Sequence, residues 1–181
     1  MANTDAPVGL WPRPGTGGDT TPRMEQYLVA DAYISAIGLG GPLELLAGGT
    51  VRRLTANGTS NLIGVAAHFV SRSGTGRTVM VFNDPNTEFE IQTDDATVAS
   101  VADCLGANFS LLNFNTYHST NQRSICEVNG DTASNLVASR PVRCIGVSKR
   151  IDKDEFSASW IGLIVKFQPS LHVFAKAGNT V

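Results

Sequence analysis

The chain has 181 residues, of which 42% are hydrophobic and 17% charged, with a formal net charge of −2. That length holds one domain with a sizeable core, and the apolar fraction is that of a globular chain rather than a disordered one. So nearly neutral a balance supplies no positive field for a polyanion, and Arg52–Arg53 and Lys149–Arg150 are the adjacent basic pairs; direct nucleic-acid binding is not expected.

Residues 1–23 contain Pro7, Pro12, Pro14 and Pro22 among Gly9, Gly15, Gly17 and Gly18. Proline removes the amide that helices and inner strands need, so the stretch predicts an extended arm with neither helix nor regular strand. Within it PVGLWPRP (7–14) sets a tryptophan between prolines. No basic segment leads into an apolar one here, and no apolar run approaches the roughly 18 to 20 residues that span a bilayer. The expectation is synthesis in the cytoplasm, away from a membrane.

From Tyr27 the chain becomes short β-like runs split by Gly, Asn and Asp. YLVADAYISAI (27–37) and LELLAGGTVRRLT (43–55) come first. Both arginines of the latter read as solvated groups on a strand edge. Asn57-Gly58 predicts a type I′ hairpin turn, and in residues 63–69 Ile63, Val65, Ala67 and Phe69 alternate with smaller or polar residues, the pattern of a strand with one buried face. TVMVF (78–82) and EFEIQ (88–92) flank the turn cluster Asn83-Asp84-Pro85-Asn86. ATVASVADCLG (96–106) carries helical spacing in Val98, Val101, Ala102 and Leu105, with Asp95 as N-cap and Gly106 as stop.

Strand character returns in ANFSLLNFNTY (107–117), SICEV (124–128) and PVRCIGVSKRI (141–151). WIGLIVKF (160–167) is the clearest strand, with Ile161, Leu163, Val165 and Phe167 on one face; LHVF (171–174) follows as a closing strand. About nine or ten short runs near 10-residue spacing predict a single all-β barrel or sandwich of antiparallel strands with one inserted helix. The expected organisation is an N-terminal arm (1–23), a β body (24–175) and a frayed tail (176–181).

Candidate chemistry is sparse. His68, His118 and His172 have no partner at metal-ligand spacing, and Asp94-Asp95 reads as a helix cap rather than a cation loop. SRSGTGRT (71–78) lacks the order of a phosphate loop and reads as a polar hairpin loop. Cys104, Cys126 and Cys144 form no C-x-x-C motif, which favours reduced, partly buried thiols and leaves a pairing open. ADAYIS (30–35) faintly resembles the first motif of the trimeric dUTP pyrophosphatases, but AKAGNTV (175–181) lacks their glycine-rich nucleotide clamp. No catalytic residue, metal or cofactor is expected.

MANTDAPVGL (1–10), GVAAHFV (64–70), VFNDPNTEFEIQTDD (81–95) and the closing segment PVRCIGVSKRIDKDEFSASWIGLIVKFQPSLHVF (141–174) together resemble the capsid decoration, or cement, proteins of tailed bacteriophages. The chain departs from their pattern around residues 120–139. The resemblance implies a non-enzymatic β-rich protein on the outer surface of the virion, a homotrimer that bridges copies of the major capsid protein on the expanded head. In that setting the arm becomes a docking segment. Pro7, Leu10, Trp11, Pro12 and Pro14 are its interface candidates, with Trp11 as the apolar anchor. The alternative is another phage structural or host-attachment module that binds glycan, for which Tyr117 beside His118 and Asn115 is the candidate platform.

Overall fold

The computed structural model describes residues 5–14, 22–59, 61–94, 101–133, 137–148 and 159–175. The proposed helix cap Asp95, the Lys149–Arg150 pair and the tail 176–181 lie outside them. The body is all-β, built from antiparallel sheets with no closed barrel, and the sandwich alternative of the sequence reading holds.

One sheet runs β1 (Trp11–Pro12), β7 (Phe89–Gln92), β12 (Gly162–Phe167), β11 (Val142–Val147) and β8 (Asn108–Phe109) in spatial order. The other runs β2 (Met24–Leu28), β6 (Thr78–Phe82), β5 (Leu62–Ala66), β3 (Pro42–Leu45) and β4 (Val51–Arg53). A pair formed by β9 (Leu111–Leu112) and β10 (Glu127–Val128) stands beside them. Among the described residues the α-helix α1 covers Val101–Cys104, followed by Gly106 at φ +80° as the stop.

Burial explains the layering. In β12 the alternating Leu163, Val165 and Phe167 join Ile161 in the core between the sheets, as their spacing predicts. Phe89 of β7 meets Phe167 there with ring centroids 5.3 Å apart. A second core fills the inner side of the β2-to-β4 sheet, where Leu43, Val51, Val79 and Val81 pack with Val29 and Ile37. Val29 bridges Val51, and the Ala30 amide donates to the Val51 carbonyl at 3.0 Å, which draws the two edges of that sheet together at one end.

Strand β5 departs from simple alternation. All five of its residues are buried. Leu62 and Val65 belong to the intersheet core, whereas Ile63 and Ala66 belong to the second core. Two residues on one face separated by three positions require a bulge, and the β3–β5 register shifts between Leu43 and Glu44, which pair with Gly64 and Leu62. Gly64 makes the bulge possible: its φ is +150°, and a Cβ there would lie 2.1 Å from the Phe82 carbonyl oxygen.

Other local expectations are corrected. Asn57-Gly58 forms no type I′ hairpin: neither residue has positive φ, and β4 and β5 both pair with β3 instead of with each other. Asn57 instead acts as a surrogate strand partner, accepting from the Leu111 amide at 2.6 Å and donating to its carbonyl at 3.0 Å. The closing LHVF is not a strand, because Leu171–Ala175 turn back with one bridge from His172 to Leu62. The cluster at 83–86 joins β6 of one sheet to β7 of the other, with Asp84 Oδ1 accepting from the Asn86 amide at 2.8 Å. The polar loop 71–76 does connect paired strands β5 and β6 and is exposed throughout.

Glu44 on β3 is 2% exposed but compensated: Arg52 Nε donates to it at 2.5 Å and Thr55 Oγ1 at 3.0 Å. Arg53 lies over the Tyr33 ring at 5.7 Å, so both arginines occupy edge strand β4 in paired roles.

Gly64→Ala is expected to cost on the order of 4 kcal/mol or more, or to prevent folding, since the added carbon strikes backbone. Urea unfolding followed by tryptophan fluorescence measures it; a loss under about 1 kcal/mol would mean that the bulge does not depend on glycine.

Candidate functional site

The arm is not free where it is described. Trp11 and Pro12 form β1, paired with Glu90 and Phe89 of β7, which corrects the expectation that no strand runs through the proline-rich stretch. The reason is geometric. The Arg13 amide donates to the Glu88 carbonyl at 2.9 Å, so by alternation Trp11 faces β7 with its backbone groups and the Pro12 nitrogen faces the open edge. Proline is tolerated there, and it blunts the edge against further pairing.

Leu10 is a second correction. It is 0% exposed and belongs to the intersheet core, so its side chain packs on its own chain and is no interface contact. Its amide donates to the Gly40 carbonyl at 2.9 Å. The approach of these backbones is unusually close: a Cβ on Gly9 (φ +72°) would lie 2.6 Å from the Gly40 oxygen, and one on Gly40 (φ +81°) 2.8 Å from the Val8 oxygen. On its other side the same glycine-rich turn meets residues 122–124, where the Leu39 amide donates to Gln122 at 3.0 Å and its carbonyl accepts from Ser124 at 2.8 Å. Residues 38–41 are thus clamped between the arm and the 117–124 segment.

Trp11 is the aromatic member of the predicted set and remains available. It is 43% exposed, and the Arg123 guanidinium sits 5.4 Å from its ring centroid. A cation over the ring fixes its pose without covering it. Pro7 and Pro12 are half-buried and Pro14 is exposed. Arg123 escaped the sequence reading, since nothing in the spacing of residues 11 and 123 announces their contact. Tyr117, the other candidate platform, is half-buried and tilts onto Phe69 with centroids 5.6 Å apart.

The three histidines do not converge. His68 and His118 are exposed, and each uses Nδ1 to accept from a nearby amide, that of Met80 and that of Thr120. His172 is 0% exposed, between Phe167 and Phe174, with Nδ1 accepting from the Phe174 amide at 3.3 Å and Nε2 lacking a partner. Burial lowers its pKa to about 4, outweighing the attraction of Asp84. Among the described residues no group of three or more His, Cys, Asp or Glu is placed to hold a metal ion, and no helix is long and apolar enough to cross a membrane.

One acidic cavity, of about 370 Å³, is lined by Asp5, Asp94, Asn113, Glu127 and Trp160 among others. Gln92 ties it together, donating to Asp5 at 3.0 Å and to Glu127 at 3.1 Å while accepting from the Ala6 amide at 3.0 Å. Burial raises the Glu127 pKa, helped by the Asp5 and Asp94 charges and opposed by Asn113 and Gln92. Asp94 accepts from the Gly130 amide at 3.0 Å. The Gln92 amide thus fastens residues 5–6 to the body. The Asp31 of ADAYIS likewise serves a loop, accepting from the Gly76 amide at 3.3 Å.

No protein-family model and no curated protein matches this chain.

Two predictions follow from these placements. Leu10→Ala should cost 2 to 5 kcal/mol, roughly the range for a buried leucine, and Trp11→Ala roughly 1 kcal/mol or less; equal losses in urea unfolding would refute the division between core and surface. His172 is neutral when folded, so its contribution is fully present above pH 6.5 and is lost as pH falls towards about 4. Over that window it should remove roughly 3 kcal/mol, and His172→Phe should show a correspondingly flatter pH dependence of stability. Identical pH profiles for the two proteins would contradict the burial of a neutral imidazole.

Proposed function

We propose that this chain is a bacteriophage capsid decoration protein, a non-enzymatic module that binds the outside of the expanded head and stabilises it by bridging major capsid protein subunits. The observation that carries the reading is Trp11: a large apolar side chain, exposed, on a short edge strand held by β7 on one side and by Gly40 through Leu10 on the other. A ring held in one pose loses little entropy on docking, and tryptophan is enriched among interface hot spots. The identity of the partner rests on the sequence resemblance, which also suggests a trimer at three-fold positions. A ligand that binds the assembled, expanded shell and not its separate subunits stabilises the shell by linkage, with no catalysis required.

The second reading, a host-attachment module that binds glycan, also needs an exposed ring. With Tyr117 packed on Phe69, that reading turns to the exposed rings of Trp11 and Phe174.

The test is co-sedimentation with expanded heads and with unexpanded proheads. Wild-type protein should bind expanded heads alone, and Trp11→Ala should weaken binding about 30-fold, as loss of a hot spot of roughly 2 kcal/mol implies, with the melting temperature of the body little changed. Undiminished occupancy by the variant would sink the anchor. Binding to neither particle, with retention on immobilised glycan, would favour the second reading.

A further inference from the structure

Helix α1 ends at Cys104 and packs on β11, which carries Cys144. Three backbone hydrogen bonds fix this meeting. The Cys144 amide donates to the Ala107 carbonyl at 2.9 Å, the Gly106 amide donates to the Cys144 carbonyl at 2.9 Å, and the Ala107 amide donates to the Cys104 carbonyl at 3.0 Å. The two thiols consequently sit in contact, both 0% exposed, and the single Cys144 proton is shared between the Cys104 sulfur and the Gly146 carbonyl oxygen 3.2 Å away. Cys126 lies in the same core but is different. The groups that act on its thiol are its apolar surroundings and the Glu127 charge, not another sulfur.

We propose that Cys104 and Cys144 are a dithiol that closes to an intramolecular disulfide on meeting a low-molecular-weight disulfide oxidant, locking α1 onto β11. The inference is independent of the function proposed above. In the first step the Cys104 thiolate attacks one sulfur of the oxidant, forming a mixed disulfide and releasing one thiolate. Cys144 then loses its proton to solvent and attacks the Cys104 sulfur, expelling the second thiolate. Two electrons pass from the protein dithiol to the oxidant, which ends as two thiols.

The environment assigns the order of attack. A hydrogen bond from Cys144 holds the Cys104 thiol below its ordinary pKa, whereas that bond and burial push Cys144 up. Access requires local opening, and the last turn of α1 is suited to it, because Ala102, Asp103 and Leu105 are exposed. A cytoplasm rich in reduced thiols keeps the pair open, and an oxidising medium closes it.

The experiment treats full-length Cys126→Ala protein with oxidised glutathione at mild alkaline pH, once folded and once during refolding from urea, where access is assured. Both free thiols should disappear with a mass loss of about 2 Da. A protease digest should contain the Cys104–Cys144 peptide, and the melting temperature should rise by roughly 10 °C and fall back with dithiothreitol. Adding Cys104→Ser should leave Cys144 as a free thiol or a glutathione adduct. Wild-type protein should give the same link with Cys126 unmodified, so the result does not hang on how Cys126→Ala folds. Persistence of both thiols in both procedures, a link through Cys126, or intermolecular dimers would overturn the proposal.

Discussion

Strand β5 is the constraint on which the rest of this protein depends. A strand that buries both faces belongs to two cores at once, and neither can be repacked without disturbing the other. Leu62 and Val65 tie it to the sheet that carries β12, while Ile63 and Ala66 tie it to the residues enclosed by β2 to β4. The switch between faces happens over one residue, Gly64, held against the Phe82 carbonyl. The two hydrophobic clusters are therefore mechanically one, although each has its own lining.

Polar groups follow the same economy. Glu44 is surrounded by Arg52 and Thr55, and Gln92 uses both amide hydrogens and its oxygen on Asp5, Glu127 and Ala6. Glu44 ties β3 to the neighbouring β4 and the residues after it, whereas Gln92 joins segments far apart in sequence, as Asn57 does for β9. His172 is one of the exceptions, a buried ring with one nitrogen unmatched, and it gives the fold a reason to weaken in acid.

Fold class was legible in the sequence because strand signals are local. Alternation in residues 161–167, the Gly106 stop and the turn at 83–86 all act through neighbours a few positions away. What failed was non-local. Residues 63–69 show a clean period of two, yet the buried side chains of β5 obey a bulge set by β3 and β6, and no local pattern encodes a second core. Asn57-Gly58 carries hairpin chemistry, but β3 captures both flanking strands and leaves the asparagine to bond Leu111. At the candidate site, the exposed tryptophan was legible as an odd residue between prolines. Its neighbour Leu10 was misplaced, because four prolines suggest a chain without partners and the edge geometry that accommodates Pro12 depends on β7. Arg123 was invisible for the same reason, being more than a hundred positions away from the ring it orients.

The clamp around residues 38–41 has a temporal consequence. Gly40 can receive Leu10 only when its own turn is in place, β1 can form only after β7 exists, and Arg123 arrives from later still in the chain. The first described residues are by this topology among the last to find their contacts, since the loops that must close before them are long. The fixed pose of Trp11 accordingly belongs to the fully folded protein, in which all three of these contacts are made. Any surface that recognises this pose selects for complete folding before it selects for anything else.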